Sequence, residues 1–156
     1  MKGTTKVRLG LAAVALGAIG VAALPASAST GAAVISGSGT ISPGLTVSGG
    51  PQTFSFDGSG QAATDSYQGA FSCHVDGDDS IGTLAQGSGG FSGTCSTTGG
   101  SEPVSGSYTR AGGVVTLNGS IGPGQVSGAF TGACTFEATN APTVTTYSVQ
   151  CVTAVH

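Results

Sequence analysis

Basic residues are nearly absent from this chain. Lysine and arginine together number four in 156 residues, and three of them, Lys2, Lys6 and Arg8, stand at the N-terminus. From residue 29 onward Arg110 is the only cation, against Asp57, Asp65, Asp76, Asp78, Asp79, Glu102 and Glu137, a balance of 1 − 7 = −6. A surface so poor in positive charge cannot neutralise phosphates, which excludes nucleic acid and anionic lipid as partners. Tryptophan is absent, and beyond residue 28 leucine occurs only at 45, 84 and 117. With so few strong helix formers and 29 glycines, an α-helical fold is excluded.

The N-terminal cations precede an uncharged apolar stretch, Leu9 to Leu24, and then Pro25-Ala26-Ser27-Ala28. A positive start, an apolar run and an Ala-x-Ala end form the signature of a cleaved export signal over residues 1–28. Sixteen apolar residues rich in Ala and Gly fall short of the ~20 that span a bilayer. The expectation is therefore a secreted, extracellular protein without membrane association after signal removal. Residues 29–156 would then fold as one domain, since 156 − 28 = 128 residues suffice for a single core.

Cys73, Cys95, Cys134 and Cys151 all lie in that region. An even number of cysteines in an oxidising compartment reads as two disulfides, with three connectivities open. Cys73 with Cys95 and Cys134 with Cys151 is favoured, because each of these pairs joins neighbouring strands of a sequential meander. The spacings of 22, 39 and 17 contain no Cys-x-x-Cys pair and argue against a four-thiolate zinc site.

Gly, Ser and Thr fill 25 + 19 + 18 = 62 of the 128 positions, a composition shared with flexible linkers. Against disorder stand nine spaced aromatics, Phe54, Phe56, Tyr67, Phe71, Phe91, Tyr108, Phe130, Phe136 and Tyr147, and an alternation of period two. It is clearest where Tyr147, Val149, Cys151 and Val155 fall on one face and Thr146, Ser148 and Gln150 on the other. Prolines at 43, 51, 103, 123 and 142 punctuate the runs. The pattern predicts eight strands near 33–41, 52–57, 66–76, 81–95, 103–109, 113–121, 125–138 and 143–155. Arg110 to Gly113 would turn one hairpin, with Arg110 solvated or ion-paired. The fold class is all-β, an antiparallel β-sandwich of about eight strands, with an up-and-down β-barrel as the alternative. The sandwich is preferred because short strands with a glycine-lined interior suit two thin packed sheets.

Phe91-Ser-Gly-Thr-Cys95 is echoed by Phe130-Thr-Gly-Ala-Cys134. Alternation puts Phe, Gly and Cys of each pentad on one face, where the glycine leaves room for a ring or a disulfide. These pentads, the signal style, the Gly/Ser/Thr-rich strands and the run Gly39-Thr-Ile-Ser-Pro-Gly-Leu45 resemble small secreted β-proteins of high-GC Gram-positive bacteria. The resemblance covers most of residues 29–156. It implies an exported β-domain and brings no assigned activity.

His74, Asp76, Asp78 and Asp79, followed by Ser80, form the one local concentration of functional side chains. Alternate oxygens give it a calcium flavour, but an EF-hand would need Gly and an acid where Ile81 and Gly87 stand. These four are the metal candidates, calcium the only cofactor considered, and an acidic turn the plainer reading. No Gly-x-Ser-x-Gly elbow accompanies the two histidines, and no carboxylate pair is set for glycoside hydrolysis. The expected function is a non-catalytic binding or cell-surface interaction module, with an unknown extracellular partner or wall polymer. The alternatives are a barrel carrying a small ligand and a small enzyme using cation-assisted chemistry at the His74 cluster.

Overall fold

The structure, a computed structural model, describes residues 31–156; the export signal read at 1–28 lies outside them. Over the described residues eight strands follow one another without a helix: β1 (Gly31–Leu45), β2 (Gln52–Thr64), β3 (Gln68–Asp79), β4 (Gln86–Thr97), β5 (Gly100–Ala111), β6 (Val114–Ile121), β7 (Gly128–Ala138) and β8 (Val144–Val155). Each pairs antiparallel with the next. β8 then pairs with β1 from Gly31↔Val155 to Thr40↔Thr146. The sheet is thus a closed up-and-down barrel.

The all-β class holds and the fold is its up-and-down barrel alternative; closure corrects only the preference for a sandwich. The glycine-lined interior reflects strands and rings pressed together within one curved sheet, not two sheets in contact. Phe54, Phe91, Phe130 and Tyr147 stand directly opposite Gly77, Gly106, Gly119 and Gly39 on the neighbouring strand. A Cβ built on any of these glycines would meet that same ring. The bare Cα gives the ring a place to lie flat on the wall. In the two pentads the inner glycines act otherwise: a Cβ on Gly93 would meet the backbone of His74 and Val75, and one on Gly132 the Thr153 side chain. They allow the adjacent strand to approach, and the room for each ring comes from the strand opposite.

Most strand limits shift by a few residues, and two shift further. β2 continues through Gly58-Ser-Gly60 to Thr64 because these glycines pair with β1 and β3. β4 starts at Gln86, and 80–85 is a loop. The β5–β6 hairpin turns at Gly112, whose φ of +59° suits glycine.

Both favoured disulfides are present. Cys73–Cys95 and Cys134–Cys151 each join residues directly opposite on adjacent strands. Cys73–Cys95 lies within the shortest register of the barrel, Ser72–Gly77 against Ser96–Phe91.

Inward apolar side chains divide by height. Ile41, Leu45, Val144 and Tyr147 pack at the end where the β1–β2, β3–β4, β5–β6 and β7–β8 connections lie. Tyr67, Val104, Val126, Phe130 and Val155 pack at the other. The ring-on-glycine pairs carry a testable consequence. Gly106→Ala should destabilise the fold by about 1–3 kcal/mol through overpacking against Phe91 and the Asn118 carbonyl. The outward neighbour change Ser107→Ala should stay within about 0.5 kcal/mol. Urea denaturation of the two variants checks the difference.

Candidate functional site

The barrel encloses a cavity of about 210 Å³. All nine aromatic side chains line it, together with both disulfides and inward aliphatics such as Ile35, Val75 and Leu117. Two ring pairs join non-adjacent strands across the lumen, and the third, Phe136 with Tyr147, lies along the wall between β7 and β8. Phe54 meets Tyr108 edge to face at 5.4 Å, Phe136 stacks on Tyr147 at 5.3 Å, and Phe91 faces Phe130 at 6.4 Å.

Polar side chains on this inner wall bond to groups of the barrel itself, mostly backbone. Tyr108 and Tyr147 donate to the carbonyls of Asp78 and Ser55 at 3.2 and 3.0 Å, and Tyr67 donates to Ala70. Thr64 bonds Tyr67, Thr153 donates to Ala33, and Thr97 donates to the Gln125 side chain. Burial pushes the Tyr108 and Tyr147 phenols upward, with nearby Asp79 adding to the first and Asp57 to the second. Both therefore remain neutral donors across the physiological range.

Two charged groups cap one end. Arg110, expected as a turn residue either solvated or ion-paired with a nearby acid, belongs to β5 and is only 5% exposed. Its inward position and length carry the guanidinium to the barrel mouth, where it donates to the carbonyls of Thr83, Leu84, Gln86 and Gly112. The group also lies 5.0 Å from the Phe136 ring centre, a cation–π distance. Burial lowers its pKa, while Asp79 and then Tyr108 oppose that shift. Asp79 is equally buried and accepts from the amides of Ile81, Gly82 and Ser88 at 3.0, 2.8 and 3.2 Å. A Cβ on Gly87 would meet both Asp79 and the Arg110 Nε, so glycine here leaves space for the two groups. Gln52 fixes the β1–β2 loop over the same end by accepting from Gly44 at 2.6 Å and donating to Gly50 at 3.2 Å.

The opposite end is covered by Tyr67 and Val126, both buried. The 122–127 loop is held through Glu102, 3% exposed, whose carboxylate accepts from the Val126 amide at 2.9 and 3.1 Å.

The residues proposed from sequence as a cation site do not converge. Strand alternation sends His74, Asp76 and Asp78 outward and Asp79 inward. Asp79 is already committed to three loop amides, so the four cannot share one ion. Among the described residues no three His, Cys, Asp or Glu side chains form a group able to hold a metal. His74 instead pairs with Asp57, directly opposite on β2, at 2.7 Å, and with Asp76 at 3.3 Å. Asp57 is the partner that local sequence reading misses; only the strand register reveals it. The pair borders an open outer hollow that also includes Ser36, Ser59, Ser72 and Ser96, which stand in line across β1 to β4.

Two expectations follow. Arg110→Met should destabilise the protein by about 3 kcal/mol, since four carbonyls lose a charged donor. Limited proteolysis should then cut first within 80–85. His74 should titrate above its ordinary 6.5, because the Asp57 hydrogen bond and charge favour the imidazolium and Asp76 adds to them. A raised folded-state value means that this interaction stabilises the fold below the unfolded pKa and is lost as pH rises through the folded one. NMR titration of Asp57→Asn should move the His74 midpoint down; an unmoved midpoint contradicts the pairing.

No protein family model matches the chain, and comparison with curated proteins and with solved structures finds no match.

Proposed function

We propose that this is an exported, non-catalytic binding protein whose site is the barrel lumen, where it holds one small apolar molecule. The observation that carries this reading is the cavity of about 210 Å³ walled by aromatic rings inside a closed eight-strand barrel. Eight strands make an interior that side chains can just fill or that can hold one small ligand. A cavity of about 150 Å³ lined by Leu, Ile and Phe takes up benzene, so this lumen has room for somewhat more. Paired disulfides suit the oxidising exterior to which residues 1–28 would direct the chain.

The two ends differ in how firmly they are fastened. Arg110 and Asp79 hold the 80–85 loop by hydrogen bonds to several of its backbone groups. The 122–127 loop relies on Glu102 at one amide, a backbone bond from Gly122 to Pro103, and Gln125 on Thr97. Ligand exchange proceeds at this second end, past Tyr67 and Val126.

Native mass spectrometry of the protein recovered from the medium of its producing cells tests the reading. One small neutral adduct, released on unfolding, is expected. A bare mass, combined with xenon-pressurised NMR spectra in which Val75, Leu117 and Phe91 do not move, would rule the lumen out as a site.

A further inference from the structure

Resting on the lumen reading, we infer the chemical class of its ligand: an uncharged hydrocarbon or aromatic molecule of one to two rings, without a carboxylate or other ionised group. The inference comes from the allocation of the polar groups on the inner wall. Three tyrosines, three threonines, Asp79 and Arg110 are the polar side chains lining the cavity, and each has a bonding partner in the barrel itself.

Arg110 decides the matter. It is the one cation on the inner wall, and a guanidinium at a barrel mouth would ordinarily be the natural counterion for a fatty acid or aromatic acid. Here it donates to four backbone carbonyls and lies near Phe136 and the Asp79 carboxylate. An incoming anion would have to take those donors from the backbone carbonyls, or meet the Nε–H alone, while standing close to Asp79. It would also surrender its hydration to a wall of rings and disulfides, and burying an ion without a partner is strongly unfavourable. The other buried carboxylate at a barrel end, Glu102, repels an anion arriving from the Val126 side.

A carbonyl oxygen on the ligand fares little better, since each lining hydroxyl already donates its proton within the barrel. Among the described residues the buried side-chain polar atom that does lack a partner is Thr131 Oγ1, and Thr131 does not line the lumen. What remains is shape and dispersion. The aromatic pairs at 5.3–6.4 Å offer ring faces and edges to a flat apolar guest.

The experiment uses matched probes on the oxidised protein: naphthalene, 2-naphthoate and decanoate, followed by NMR shifts of Val75, Leu117 and the Arg110 side chain. Naphthalene is expected to saturate and move the lumen signals, with 2-naphthoate and decanoate at least a hundredfold weaker at pH 7. Should 2-naphthoate bind within tenfold of naphthalene, or decanoate shift Arg110 at similar concentration, the assignment of class is overturned while lumen binding stands. Should xenon move the lumen signals while naphthalene does not, the assigned size is overturned. If none of the three probes nor xenon moves a lumen signal, the lumen reading itself fails.

Discussion

A ring laid on a glycine of the neighbouring strand is the contact on which this barrel depends. Phe54 on Gly77, Phe91 on Gly106, Phe130 on Gly119 and Tyr147 on Gly39 are all direct cross-strand pairs. Glycine in a strand weakens it, because it has the most backbone freedom to lose and nothing to pack. An aromatic ring spread over it supplies the missing packing, and the missing Cβ lets the sheet curve enough to close. The two residue types are therefore interdependent. Without the rings, a chain with this much glycine and serine has the composition of a tether; without the glycines, the rings would not fit one small lumen.

That interdependence explains which parts of the molecule could be read from its sequence. Alternation marked the inner face correctly at Tyr147, Val149, Cys151 and Val155. Placement of the cysteines on neighbouring strands gave the disulfide pairing. Closure had no local mark. It rests on β1 meeting β8, as where Gly31 pairs with Val155 far along the chain, and a period-two pattern is the same in a sandwich and in a barrel. The glycines misdirected the choice, since their role is set by the ring opposite, which only the register reveals. At the candidate site the same limit applied. Asp76-Gly-Asp78-Asp79 looks like one cluster along the chain, yet alternation divides it, and the partner of His74 is Asp57, seventeen residues earlier. Arg110 was misplaced for a different reason. Next to two glycines it resembles a turn cation, but its even position on β5 points it inward, and its length lets it serve the mouth.

Charge follows a rule of height within the barrel. The buried ionisable groups Asp79, Arg110 and Glu102 occupy strand ends, where loop amides and carbonyls without ladder partners lie within reach. Each then satisfies backbone that the turns leave unpaired, which is how a buried charge is tolerated. The middle of the lumen is left to rings, aliphatics and disulfides. The fold thus separates the job of fastening loops, done by charge, from the job of making a container, done by apolar surface.

The container is not free of cost to stability. At about 24 cal/mol per Å³ of void, a dry cavity of about 210 Å³ forgoes roughly 5 kcal/mol of packing. That is comparable to the whole stability of a small domain. Enlarging a few inward side chains, for example Ala33, Ala62 or Val75, would recover part of it without touching the ring-on-glycine pairs. The chain instead keeps the space and adds two disulfides, each worth about 3 kcal/mol for loops of this length. An apolar guest would restore the lost dispersion contacts directly and stabilise the folded state by mass action. Occupied, the barrel would be a filled core whose last component arrives from outside the chain.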